Sequence, residues 1–76
     1  MNTTDQTLDA RGLNCPLPIL KTRKALNAMN AGEILHVIAT DPGSVKDISA
    51  FCQQTGNELV SLREQGKEHI FVIRKS

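Results

Sequence analysis

The 76-residue sequence has no tryptophan, no tyrosine and only two phenylalanines. Unpaired nucleic-acid bases are held largely by stacking on aromatic rings, so a single-strand-binding platform is disfavoured from the outset. An excess of either charge is also missing. Nine Lys and Arg against eight Asp and Glu leave a formal net charge of +1, too little for a basic nucleic-acid surface. No apolar run approaches the roughly 20 residues that span a bilayer. The opening Met1-Asn2-Thr3-Thr4-Asp5 has neither the basic segment nor the apolar core of a secretory signal. These absences predict a soluble, cytoplasmic protein with no membrane and no direct nucleic-acid partner.

Cysteine is scarce too, at two residues, Cys15 and Cys52, with no Cys-x-x-Cys pair. Together with His36 and His69 they make four possible zinc ligands, but no two have the close spacing of a structural metal site, and no metal is expected. A reducing compartment argues against a permanent disulfide. No phosphate-cradling glycine loop is present, so no cofactor is expected either. A chain this short must hold together by packing and can carry only compact chemistry.

What is present reads as one domain. Residues 1–5 are polar and are expected to be disordered, with the domain over residues 6–76. Gln6 to Ala10 alternates weakly and predicts a short strand. Ile19, Thr22, Leu26 and Met29 fall on one helical face, with Lys21, Lys24 and Asn27 elsewhere, and Gly32 is expected to close that helix. Ile34 to Thr40 is a β-branched apolar run of strand length. Asp41 is a natural N-cap with Pro42 at the first helical position. Val45, Ile48, Phe51, Cys52 and Thr55 then define a second amphipathic helix ending at Gly56. Glu58–Glu64 and Glu68–Lys75 predict two strands around Gln65-Gly66-Lys67. The order is βαβαββ, an α+β two-layer sandwich with both helices on one face of a four-stranded mixed sheet. Both βα units favour parallel pairing, and the hairpin adds an antiparallel pair.

The chemistry concentrates at Cys15. Pro16 and Pro18 fall at the first and third positions of the predicted helix, where a missing N–H removes little hydrogen bonding. Gly12 supplies backbone freedom just before. Cys15 is then expected at or beside the N-cap, where unpaired N–H groups and the helix dipole stabilise a thiolate; such settings lower a cysteine from about 8.5 to about 3.5–7.5. Arg11 is a candidate to assist. No histidine lies near Cys15 in the sequence, which argues against a Cys-His hydrolase, and no neighbouring cysteine could resolve a mixed disulfide. A lone activated thiol that accepts a group and hands it on remains, and sulfane sulfur fits that role. The alternative is a small structural cysteine at a helix start. Cys52, on the inward stripe of the second helix, reads as a core residue.

The stretch Leu8-Asp9-Ala10-Arg11-Gly12-Leu13-Asn14-Cys15-Pro16-Leu17-Pro18 resembles the TusA family of sulfur carriers, also called the SirA family, whose signature is Cys-Pro-x-Pro. The likeness continues through Gly32-Glu33, Ala39-Thr40-Asp41-Pro42, Asp47-Ile48, Phe51-Cys52, Glu58-Leu59-Val60 and Ile73-Arg74-Lys75, from about Thr7 to Lys75. The resemblance implies a βαβαββ fold and a sulfurtransferase role, with Cys15 as carrier and Cys52 not. It also implies a pyridoxal-phosphate cysteine desulfurase as donor and a downstream relay protein as acceptor, leading to tRNA 2-thiouridine. Two departures stand at the motif: Leu17 replaces the usual Glu between the prolines, and Asn14 replaces a basic residue. Leu17 is either a partner contact or part of the packed first turn. Lys21, Arg23 and Lys24 offer a cationic side for docking, or an ordinary solvated face. Other destinations fit equally: molybdenum-cofactor enzymes, selenium metabolism or sulfur oxidation. A regulatory interaction module with a structural Cys15 is the reading from a different class.

Overall fold

A computed structural model describes residues 5–76. The elements run β1 (Asp5–Ala10), α1 (Leu17–Asn27), β2 (Ile34–Ala39), α2 (Gly43–Thr55), β3 (Glu58–Gln65) and β4 (Glu68–Arg74). They form the expected two-layer sandwich: α1 packs on β1, β2 and α2, and α2 packs on α1 and β3. Of the segment expected to be disordered, residues 1–4 lie outside the described residues. Asp5 departs from that expectation. It pairs with Ile34 as the first residue of β1, and its carboxylate lies 3.4 Å from His36 Nε2.

The sheet order is β1-β2-β4-β3. β1 and β2 are parallel neighbours, while β4 is antiparallel to both β2 and β3. One expectation of pairing is thereby corrected. The second βα unit does not place its strands side by side, because β4 folds back from the hairpin and inserts between β2 and β3. The reason is apolar content. β4 supplies Phe71 and Ile73, both fully buried, whereas β3 supplies only the partly buried Leu59 to the core, so the more apolar strand takes the central place.

Alternation sets the two faces of the sheet. Leu35, Val37 and Ala39 of β2 are buried under the helices, and Ile34, His36 and Ile38 between them are half-covered. From above, Pro18, Thr22 and Leu26 of α1 and Ile48, Phe51 and Cys52 of α2 close the core. Thr22 is fully buried because its hydroxyl donates to the Pro18 carbonyl at 2.8 Å. Burying an apolar side chain such as Leu26, Ile48 or Phe71 contributes about 1.5–3 kcal/mol.

Helix ends differ in detail from expectation. α1 stops at Ala28, where the Ala28 N–H turns back to the Ala25 carbonyl and the Met29 N–H to the Leu26 carbonyl, so Gly32 is not its cap. Gly32 instead takes φ +89 in the following turn and donates its N–H to Lys75. Pro42, expected at the first helical position, is instead the N-cap of α2 with helical dihedrals, and Asp41 stands one residue outside it, where its Oδ1 accepts from the Gly43 N–H at 3.3 Å. Ser44 is buried, its hydroxyl donating to the Asp41 carbonyl. Gly56 ends α2 in the left-handed region at φ +81. Thr55 is exposed rather than part of the buried stripe; its hydroxyl donates to the Phe51 carbonyl.

Candidate functional site

Parallel pairing decides where the site is. Ala10 pairs with Ala39, so β1 and β2 end side by side at one edge of the sheet, and the loops that follow them meet. In open α/β sheets this carboxyl edge is where ligands and reacting groups gather. Three hydrogen bonds tie the loops together. Gly12 N–H donates to Thr40 Oγ1 at 2.9 Å, Cys15 N–H donates to Asp41 Oδ2 at 2.8 Å, and the Cys15 thiol donates to Asp47 Oδ2 at 2.9 Å. Gly12 has φ +79, a conformation that glycine adopts without a steric penalty, and its turn is closed by Leu13 N–H to the Ala10 carbonyl.

The first turn of α1 sits one residue later than the proline spacing predicts. Pro16 is the N-cap, with φ −97 and ψ 14, and Leu17 begins the helix. Leu17 N–H closes a turn onto the Asn14 carbonyl at 2.8 Å, with the cis Cys15–Pro16 bond inside it. Pro18 then occupies an N-terminal helical position where no N–H is required, and packs into the core. Cys15 therefore lies outside the cap, and its sulfur makes no capping bond.

The electrostatics reverse the expected direction. The hydrogen bond to Asp47 pushes the Cys15 thiol above its ordinary value, with local desolvation and the charges of Asp47 and Asp41 acting the same way. Arg11 does not offset this. Its guanidinium holds Asp9 at 2.9 and 3.0 Å and reaches Glu68 at 3.4 Å, which lowers Asp9 from 3.8 to about 2. The thiol is thus exposed and accessible, but held protonated.

Leu17 is 45% exposed and Leu20 48%, so Leu17 is not packed into the first turn. Lys21 and Lys24 are exposed nearby on α1, while Arg23 lies over the Phe51 ring, 5.6 Å from its centroid. His36 faces Asp5, and His69 Nδ1 is buried without a hydrogen bond, 3.5 Å from Glu64. Neither histidine is the partner of the Cys15 sulfur. Cys52 is buried, and burial raises its thiol. Among the described residues no cluster of three or more His, Cys, Asp or Glu is arranged to hold a metal. No helix there is long and apolar enough to cross a membrane.

Sequence reasoning missed the two aspartates that touch Cys15. Asp41 is expected from the sequence as a helix cap but not as a loop clamp; parallel neighbours β1 and β2 would have placed it beside Cys15. Asp47 belongs to the family likeness as part of Asp47-Ile48, but no local pattern marks it as a partner of Cys15.

An exposed thiol thus stands on a clamped loop at the carboxyl edge of a small βαβαββ sandwich. The family model described as Sulfurtransferase TusA matches residues 6–75, and the chain belongs to that family of sulfur carriers. It is 65% identical over 72 residues to the sulfur carrier protein TusA of Allochromatium vinosum, covering 95% of each chain. Over 71 residues it is 45% identical to the TusA protein of Pseudomonas entomophila, covering 93% of this chain and 89% of that one. Its fold matches the crystal structure of a SirA-like protein from Desulfitobacterium hafniense with TM-score 0.74 and 26% identity, over 90% and 92% of the two chains.

Proposed function

We propose that the protein carries sulfane sulfur as a persulfide on Cys15, taking it from a cysteine desulfurase and passing it to an acceptor protein in the cytoplasm. The observation that carries this reading is the exposed Cys15 thiol at the carboxyl edge of the parallel pair, in a chain of the sulfur-carrier family. Gly12, Pro16 and Pro18 shape the loop that presents it. The pyridoxal phosphate belongs to the donor. Leu17, Leu20, Lys21 and Lys24 form an apolar and cationic surface beside the thiol, suited to a partner with an acidic rim, where charge speeds encounter without holding the partner long.

Incubation with a cysteine desulfurase, pyridoxal phosphate and labelled cysteine, followed by intact mass, tests the carrier. The parent gains one sulfur atom and Cys15→Ser gains none; equal labelling of Cys15→Ser overturns the reading. The acceptor we propose leads to tRNA 2-thiouridine. A second reading, supply of molybdenum-cofactor enzymes, selenium metabolism or sulfur oxidation, draws on Leu17 and Asn14, which alter the surface beside the thiol. Normal 2-thiouridine in a deletion strain would remove the tRNA destination and leave the carrier standing.

A further inference from the structure

We propose that Asp47 is a catalytic residue of the transfer: its carboxylate takes the Cys15 thiol proton as the new sulfur–sulfur bond forms and returns a proton to Cys15 when the sulfur departs. The proposal rests on Cys15 being the sulfur-carrying residue.

Asp47 has no structural task that requires an acid. It is not in the first turn of α2, where a negative charge would complement the helix dipole. Among the described residues it makes no ion pair, and its side-chain hydrogen bond is the one from Cys15 at 2.9 Å. It is half-buried on α2, on the side turned toward the β1–α1 loop, so the contact joins two elements that nothing in local sequence brings together. Asp41 is the other carboxylate at the site, but it is already engaged. Its two oxygens accept backbone N–H groups from Cys15 and Gly43, which position the loop and leave the thiol to Asp47. Of the remaining charged groups nearby, Arg11 is directed to Asp9 and Glu68, and Lys21 stands exposed on α1.

The chemistry balances without any outside oxidant or reductant. In loading, Cys15 Sγ attacks the terminal sulfur of a donor persulfide, R–S–SH. A bond forms between Sγ and that sulfur, the donor S–S bond breaks, and its electron pair leaves on the donor sulfur. The Cys15 proton passes to Asp47 Oδ2 and from there to the departing donor thiolate, giving Cys15–S–SH and R–SH. In unloading, an acceptor thiol attacks the outer sulfur, and Cys15 Sγ departs with the bonding pair. Its proton arrives through Asp47 and originates from the attacking thiol. The same carboxylate that holds the resting thiol protonated is thus in contact with the proton that must move. A thiol held this way is a weaker nucleophile at rest and has its base in place when a persulfide is held against it.

Asp47→Asn keeps the side chain's size and an acceptor oxygen but cannot take the proton. Two measurements on the same folded variant separate proton transfer from simple electrostatics: the pH profile of Cys15 alkylation by iodoacetamide, and the single-turnover rate of sulfur uptake from a cysteine persulfide. Removing the negative charge moves the alkylation midpoint of Asp47→Asn to lower pH, which makes the thiolate more available. Sulfur uptake at neutral pH nevertheless slows by about 100-fold, the lower end of general acid–base contributions. Asp47→Glu restores part of that rate. Uptake by Asp47→Asn at or above the parental rate would overturn the proposal and leave the aspartate as an electrostatic brake alone. Cys15→Ser measured alongside distinguishes the two levels: sulfur uptake by Cys15→Ser removes the carrier reading itself, whereas an inert Cys15→Ser with an unimpaired Asp47→Asn removes only the role of Asp47.

Discussion

Cys15 stands on the loop between β1 and α1 with its sulfur exposed and hydrogen-bonded to Asp47, whereas Cys52 lies on the buried face of α2, in the same core cluster as Ile48 and Phe51. Both thiols are pushed above their ordinary values, for different reasons. At Cys15 a carboxylate holds the proton in place, and a base of that kind can also remove it. At Cys52 the cause is burial alone, and no partner stands ready to accept the proton. Two regions of one small domain therefore treat the same functional group in opposite ways, as something to present and as something to pack. Reactivity here is a property of surroundings rather than of the cysteine side chain.

The sharpest way to break that comparison is alkylation under native conditions. Cys15 reacts in the folded protein, while Cys52 waits for the helices to open and reacts roughly 10³-fold or more slowly. Mass spectrometry of peptides around each residue reads the ratio; comparable rates would mean that α2 is not packed as described. Stability gives the next largest contrast. Phe71→Ala, at the centre of the sheet, is expected to cost about 3–5 kcal/mol in urea unfolding. Cys52→Ser, which places a hydroxyl in the core, is expected to cost about 1–3 kcal/mol. Cys15→Ser should stay within about 0.5 kcal/mol, as expected at an exposed position. Gly12→Ala is expected to cost roughly 1–2 kcal/mol. A Cβ there would meet nothing within 4 Å, so the cost comes from the left-handed φ rather than from collision.

The smallest effect is a pH dependence. With both folded thiols raised, the native state keeps protons that the unfolded state loses above pH of about 8.5. Their contribution is present below that value, and stability falls as pH rises through the folded values. The sequence has no tyrosine to add its own titration there. A double Cys15→Ser, Cys52→Ala variant should show a flatter alkaline limb in equilibrium unfolding; an unchanged slope would place the dependence elsewhere.

Several parts of this arrangement were legible before any coordinates. The buried faces of α1 and α2 followed from three- and four-residue spacing, because a helix must turn the same side to the core at each turn. The turns at Gly12, Gly56 and Gly66 were marked by the residue that tolerates a positive φ. Cys15 was singled out by the two prolines after it and by family likeness across the chain. Three features were not legible. The start of α1 shifted by one residue, because the Asn14–Leu17 turn closes before the helix can include Pro16. β4 displaced β3 from the place beside β2, a choice made by competition for the core rather than by either strand alone. The thiol's direction of shift was reversed by Asp47, which reaches Cys15 from another element.

The sequence by itself determined which segments are helix and strand, which cysteine is packed, and which one a stiff, proline-flanked turn presents. These are consequences of local backbone preference and of periodic burial, and both act over a few residues. The tertiary structure alone decided what Cys15 touches. Parallel pairing of β1 with β2 brought Asp41 to its backbone, and the packing of α2 beside α1 brought Asp47 to its sulfur. A hydrogen bond depends on separations of about 3 Å between atoms, and residues distant along the chain acquire such a separation only when the whole sandwich closes.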